Sequence, residues 1–392
     1  METKKLYYVD SSIREFIAKV VRCEECAKGW WVELDSTAFF PGGGGQACDL
    51  GTLRGPEEVR VIDMREQGDT VLHLCDGPLQ EGSVVSAQLD WARRLDQMQQ
   101  HSGEHIVSGI IYALFGGHNV GFHVGADMVT IDFDCPIPAE ALPEIEQQTN
   151  EAIYANLPVN CWYPPKEQLP YIHYRSKKAL DWPVRLVQIP GYDSCACCGV
   201  HTAYTGQVGL VKLFSCVKFH QGVRIEMACG ARALGYLSEI YNQNQQVCRA
   251  FSAKPLETGA AAQRMNDALA AEKFRATGLE RQLFDRIAES YVNHGNVLHF
   301  ADDLQPAAVR ELADRIAQRC GGTAAVFSGT DEAGYTVCLV NHNGSVAELG
   351  KVMANTLSGR GGGKPGFFQG SVKATRQEIE TFFGKLNQFY SQ

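Results

Sequence analysis

No stretch of this chain approaches the roughly 18–20 consecutive apolar residues that a membrane-spanning helix needs, which excludes an integral helical membrane protein. The N-terminus, METKKLYYVD, carries charge but no apolar run of the signal-peptide kind, so the expected location is the cytoplasm, with no membrane partner. There is no internal repeat and no low-complexity tract beyond glycine runs, and no Ser-His-Asp nucleophile set stands out. Positive charge is in deficit: 36 Lys and Arg face 45 Asp and Glu, for a net charge of −9. That argues against a surface that binds nucleic acid everywhere, and it leaves room for local basic patches. A hydrophobic content of 45% with 21% charge excludes a disordered chain.

Cysteine is not in short supply, with 14 in 392 residues. In a reducing compartment such residues are metal ligands, nucleophiles or buried filler, and spacing to histidine separates these. Cys23 and Cys26 form a CxxC pair between short β segments with no matching second pair, so they read as structural.

The pattern along the chain predicts an α+β protein. Residues 1–90 read as a β-rich, barrel-like subdomain, with short apolar runs at Leu6–Val9, Trp30–Leu34, Val59–Met64 and Thr70–Leu74 between turn residues. Residues 91–235 read as an α+β core, with a helix over Trp91–Phe115 stopped by Gly116–Gly117. A second helix is predicted at Ala139–Asn156, and strands at Met128–Phe133 and Gly209–Phe214. Residues 236–294 are helical in pattern and read as an arm, with an apolar stripe at Met265, Leu269, Ala276, Leu279, Leu283 and Ile287. Residues 295–392 alternate strand and helix patterns, as in a compact α/β domain.

Three segments carry chemistry. HSGEH places His101 and His105 one turn apart on one helical face, where both imidazoles can reach one metal ion. Glu104 precedes the second histidine; zinc peptidases have their glutamate directly after the first, so a peptidase base is not supported. CACCGVH offers His201 with Cys195, Cys197 or Cys198 as thiolate. Together these make a nitrogen–sulfur set of the kind Zn²⁺ prefers. The third segment, LDSTAFFPGGGGQACDLG, crowds Thr37, two aromatics, four glycines and Gln46 into one loop that a ligand backbone can approach.

These segments and their order resemble the alanyl-tRNA editing proteins of the AlaX family, which are similar to the editing region of alanyl-tRNA synthetase. The resemblance rests on FFPGGGGQACDLG, QQHSGEHI, Cys197–His201 followed by TGQVGLVKL, and RIEMACGARAL. The last hundred residues, with RGGGKPGFFQG, resemble the DHHA1-type domain, so the long form of the family is implied. The chain departs from the family pattern where Cys-Gly-Gly-Thr-His becomes Cys197-Cys198-Gly199-Val200-His201. It departs again where the C-terminal glycine segment reads Gly-Lys-Pro-Gly. The 1–90 segment is too short for a synthetase catalytic core, so no activation of alanine is implied.

The resemblance implies an aminoacyl-tRNA deacylase. It would hydrolyse the ester of Ser-tRNA(Ala), with Gly-tRNA(Ala) as a further substrate. It implies zinc on His101, His105, Cys197 and His201, with Thr37 reading serine and Gln46 positioning substrate. The tRNA partner directs attention to Arg93, Arg94, Arg175, Lys177 and Lys178, and to Arg360, Lys364, Lys373 and Arg376. The arm and C-terminal domain suggest a homodimer. The competing readings are a tRNA-binding adaptor with an inactive pocket, and a zinc hydrolase acting on another ester or amide.

Overall fold

The structure is a computed structural model that describes residues 2–177 and 180–389. The chain divides into two compact units, Met1–Val247 and Cys248–Gln392.

The first unit opens with a closed six-stranded barrel. Its strands are β1 (Glu15–Cys26), β2 (Gly29–Leu34), β3 (Gly51–Arg54), β4 (Glu58–Gln67), β5 (Thr70–Cys75) and β6 (Val84–Leu89), in the order β1-β2-β5-β4-β3-β6. Alternation drives closure: Val59 and Val61 of β4 and Val85, Ala87 and Leu89 of β6 point inward with Arg60, Ser86 and Gln88 between them, and a register shift after Val61 returns Met64 to the inside. Leu6–Val9 does not form the expected strand; Leu6–Tyr8 is a 3-10 turn that inserts Tyr7 beside Phe40, Met98 and Val200. This small apolar cluster joins the barrel to the next layer.

Helix α1 (Trp91–Phe115) follows, capped by the Asp90 carboxylate accepting from the Arg93 N–H and ended by Gly116 at φ 68°. It runs through the interior, with most residues from Arg94 to Ile111 buried. Its polar side chains therefore need partners from other elements. Strands β7 (Asn119–Val124) and β8 (Val129–Phe133) come next, followed by α2 (Leu142–Tyr154). The short strands β9 (Asn160–Trp162), β10 (Leu186–Ile189) and β11 (Asp193–Ala196) form a three-stranded sheet. Strands β12 (Val211–Phe219) and β13 (Gly222–Cys229) complete a four-stranded sheet ordered β12-β13-β8-β7. Ile106, Val107, Ile110 and Ile111 of α1 pack with Ile131, Ile225 and Met227 of this sheet.

Two long helices, α3 (Gly230–Phe251) and α4 (Thr258–Glu289), occupy the segment read as an arm. The end of α4 is not free: Phe284 and Ala288 are buried in the core of the second unit. That unit is a five-stranded sheet of β14 (Gly295–Ala301), β15 (Gly321–Thr330), β16 (Gly334–Val340), β17 (Arg360–Lys364) and β18 (Phe367–Val372). The order is β14-β15-β16-β18-β17. Helix α5 (Pro306–Cys320) connects the parallel pair β14 and β15. Residues Ala324 and Val326 pack on the α4 and α5 side. Their neighbours Ala325 and Phe327 pack on α6 (Ala347–Thr356) and α7 (Arg376–Phe389).

Candidate metal centre and its cavity

The structure brings His101 and His105 of α1 together with Cys197 and His201 of the loop after β11. One ligand atom from each lies within 4.8 Å of the others. The loop is shaped from outside. The Arg185 guanidinium donates to the carbonyls of Cys197 (3.0 Å) and Gly199 (2.8 Å). Tyr8 donates to the Cys198 carbonyl and Ser11 to that of His201. Val200 is fully buried in the apolar cluster described above.

Each histidine is oriented through Nδ1. His101 donates to Gln46 Oε1 at 3.0 Å, and His105 donates to Asp193 Oδ2 at 2.8 Å. His201 Nδ1 stands 3.4 Å from Ser102 Oγ. This leaves Nε2 of all three for the centre, and His201 Nε2 is buried with no partner. An orphaned buried nitrogen facing a thiol and two imidazoles is what a metal ion would satisfy. Burial alone would raise the Cys197 thiol. Instead, the charge of His101 and its hydrogen bond to the sulfur, with His105 beside it, hold the thiol well below its ordinary value, towards the thiolate that metals bind. Burial and the neighbouring His101 charge push His201 down to about 3. Burial also opposes the charge on His105, but the Asp193 hydrogen bond and Cys197 hold it well above its usual range.

Among the three cysteines that spacing allowed, Cys197 joins the three histidines. Cys198 is exposed. Cys195 is buried beside His105 and Asp193, but Asp193 is already bound by the Arg175 guanidinium at 2.8 and 2.9 Å.

The cluster opens on a cavity of about 380 Å³ whose lining includes Gly44, Glu104, Asn119, Phe122 and Lys177. Gly44 brings in the glycine loop. At Gly45, φ is +88° and a Cβ would come within 2.4 Å of the Phe122 ring, so only glycine fits. Glu104 and Asn119 are 5% and 3% exposed. Glu104 Oε1 accepts from Ser108 at 2.6 Å and from the Asn119 amide nitrogen. Because that amide must donate to a carboxylate, its oxygen is set, and Asn119 Oδ1 has no partner. Glu104 stood out in HSGEH only for its position. Asn119 and Asp193 carry no spacing signal, since strand pairing and the loop bring them in from 15 and 88 residues away.

Other expected site residues lie elsewhere. Thr37 is fully buried in the barrel. Its hydroxyl donates to His73 Nε2 (2.8 Å) and accepts from the Phe39 N–H (3.1 Å), while His73 donates to the Val32 carbonyl. Thr37 is not among the residues that line the cavity. Arg94 must be corrected as a tRNA contact: it is 0% exposed and paired with Asp49, which is 1% exposed. It also donates to the carbonyls of Ser11 and Ala38. A guanidinium committed on every side cannot reach a phosphate. Arg93 is half-exposed, with Nε on the Cys48 carbonyl. Lys177 lies over the Phe122 ring, 5.7 Å from its centroid. Lys178 falls outside the described residues. Arg360 and Lys364 are exposed on β17 of the second unit.

Three family models match in sequence order. They are "tRNA synthetases class II (A)" over residues 3–93, "Threonyl and Alanyl tRNA synthetase second additional domain" over 184–226 and "DHHA1 domain" over 293–392. The alanyl-tRNA editing protein Aarsd1-B of Xenopus laevis is 27% identical across 96% of both chains. Aarsd1 of Mus musculus is 29% identical over 94% of this chain and 93% of its own. The alanine–tRNA ligase of Pyrococcus abyssi is 29% identical over 95% of this chain, which spans only 42% of that protein. The matches run end to end against alanyl-tRNA editing proteins and close on a DHHA1 domain, so the chain is similar along its whole length to the long form of that family.

Proposed function

We propose that this chain is a deacylase that hydrolyses the ester joining a wrong amino acid, serine above all, to tRNA(Ala). Gly-tRNA(Ala) is a second substrate of the same chemistry. The observation that carries the reading is the His101–His105–Cys197–His201 cluster opening on a cavity beside the buried Glu104–Asn119 pair. The names of the curated relatives support it. Zinc held by those four side chains would supply positive charge beside the cavity, able to polarise an ester carbonyl or activate water.

The chain's own residues explain the choice of amino acid. Serine differs from alanine by one hydroxyl, which an apolar pocket rejects poorly but a site built to hydrogen-bond it recognises. Asn119 lines this cavity and its buried Oδ1 is an unfilled acceptor that a substrate hydroxyl reaching it would satisfy, and the Glu104 carboxylate complements the substrate's ammonium. Bound alanine would leave Asn119 Oδ1 buried and unpaired, at about 1–3 kcal/mol. That corresponds to roughly a 5- to 150-fold preference for serine. Thr37, the residue the family motif singles out, is the rival. Its hydroxyl is already doubly bonded, which favours Asn119. Deacylation of Ser-tRNA(Ala) beside Ala-tRNA(Ala) decides between them. Asn119→Leu should collapse the serine preference by about that factor, and Thr37→Val should leave it standing. The reverse outcome assigns the hydroxyl to Thr37.

We place the tRNA on limited basic surface, with Arg93 and Lys177 on the first unit and Arg360 and Lys364 on the second. A homodimer is part of the proposal. It is supported by Met265, Leu269, Leu279 and Leu283 on α4, which are 52–56% exposed and apolar. The four-part division at 90, 235 and 294 is retained as a proposal about function.

A further inference from the structure

The glycine loop ends in a residue whose contacts the proposed reaction does not use. Gln46 is 4% exposed. Gly43 and Gln46 exchange backbone hydrogen bonds at 2.9 and 3.1 Å, which closes a sharp turn through Gly44 and Gly45. That turn aims the Gln46 carboxamide at α1. Its Oε1 accepts from His101 Nδ1–H at 3.0 Å and from the Val200 N–H at 3.2 Å. The Val200 N–H can only donate, so the carboxamide oxygen must face it, and this fixes the amide's orientation. One oxygen therefore touches both halves of the cluster, the helix that carries His101 and His105 and the loop that carries Cys197 and His201. Gly199 lets the parts close up, since a Cβ there would stand 2.2 Å from the His101 ring.

We infer that Gln46 is a positioning residue for the metal centre, locking His101 in the tautomer that presents Nε2 and tying the glycine loop to the Cys–His loop. This inference rests on reading the four-residue cluster as a zinc site. It moves Gln46 from the substrate to the shell behind a ligand. Partners of this kind set imidazole orientation and basicity, and losing one typically costs about 10- to 100-fold in metal affinity. Asp193 does the same for His105, but the Gln46 oxygen touches both helix and loop, beside the direct link from the Thr202 N–H to Ser102 Oγ. The barrel, which supplies no ligand, thereby becomes part of the centre. Gly44, two residues earlier in the same turn, lines the cavity, so the contact that orients His101 also holds one wall of the pocket.

The test is zinc affinity of the full chain, stripped and reloaded with Zn²⁺ alone against a competing chromogenic chelator. Gln46→Met keeps the volume and removes the acceptor, and affinity should fall about 10- to 100-fold. Gln46→Glu keeps an acceptor for both N–H groups and should stay near the unaltered chain. Tryptophan fluorescence checks that each variant is folded. Gln46→Met binding zinc as tightly as the unaltered chain overturns the inference. So does a loss in Gln46→Glu as large as in Gln46→Met, which would assign the effect to packing. An unaltered chain that takes up no zinc refutes the metal reading and the role of Gln46 with it. Zinc uptake that follows this pattern in a chain with no deacylase activity upholds Gln46 and refutes the proposed reaction.

Discussion

Replacing Asp49 by alanine should strand the Arg94 guanidinium in the protein interior. The two side chains are 1% and 0% exposed. Arg94 Nε lies 3.0 and 2.9 Å from the two carboxylate oxygens, and Asp49 Oδ2 also accepts from the Phe40 N–H at 2.6 Å. The pair fastens the segment before β3 to the first turn of α1. Removing one member of such a buried pair costs about 3–5 kcal/mol, because the remaining charge has neither water nor counter-charge. Against a total of roughly 5–15 kcal/mol for a folded domain, that is a large fraction. All five tryptophans, Trp30, Trp31, Trp91, Trp162 and Trp182, lie in the first unit. Their fluorescence during urea unfolding therefore reports this unit alone. Asp49→Ala should lower its unfolding free energy by about 3–5 kcal/mol. The double variant Asp49→Leu with Arg94→Met, which removes both charges, should lose much less than Asp49→Leu alone. A loss below about 1 kcal/mol in Asp49→Ala, or a double variant as damaged as the single, would refute the reasoning.

Three further outcomes are expected. Cys197→Ser should abolish stoichiometric zinc in metal analysis and Cys198→Ser should retain it; the opposite result would move the thiolate to the neighbouring residue. Burial pushes His73 down to about 4, so the folded protein holds it neutral while the unfolded chain binds a proton below about 6.5. Stability from this group is therefore complete above pH 6.5 and declines as pH falls towards 4, by up to roughly 3 kcal/mol. The unfolding free-energy difference between the unaltered chain and His73→Gln should narrow over that window, and a constant difference would contradict the assignment. Affinity for tRNA(Ala) should fall with salt, and Lys177→Gln should reduce the slope of log affinity against log salt by about one. An unchanged slope removes Lys177 from the phosphate contacts.

Much of the frame was legible because it follows from period and punctuation. Helix α1 matches its predicted bounds because Asp90 and Gly116 mark its ends chemically. HSGEH on that helix and the Cys197–His201 loop could be paired because zinc accepts imidazole nitrogen and thiolate sulfur in one site. What stayed hidden depends on tertiary contact. The segment RGGGKPGFFQG forms the hairpin β17–β18, although glycine runs carry no strand signal; pairing with β16 overrides propensity there. Strand β1 was hidden by Lys, Arg and Glu on its outward positions. In the sequence Arg94 looks like one of a pair of surface charges, because nothing local announces Asp49 as its partner 45 residues away. Thr37 illustrates a different limit: a motif places a residue near a site, but only the fold shows that His73 and Phe39 already occupy its hydroxyl. Asn119 became visible through one unpaired oxygen.

The central claim is tested most directly by incubating the unaltered, zinc-loaded chain with purified Ser-tRNA(Ala) and, in parallel, Ala-tRNA(Ala), and following release of the amino acid. The account predicts that serine is released well above the spontaneous rate while alanine stays attached. Release of neither amino acid, or equal release of both, would contradict it.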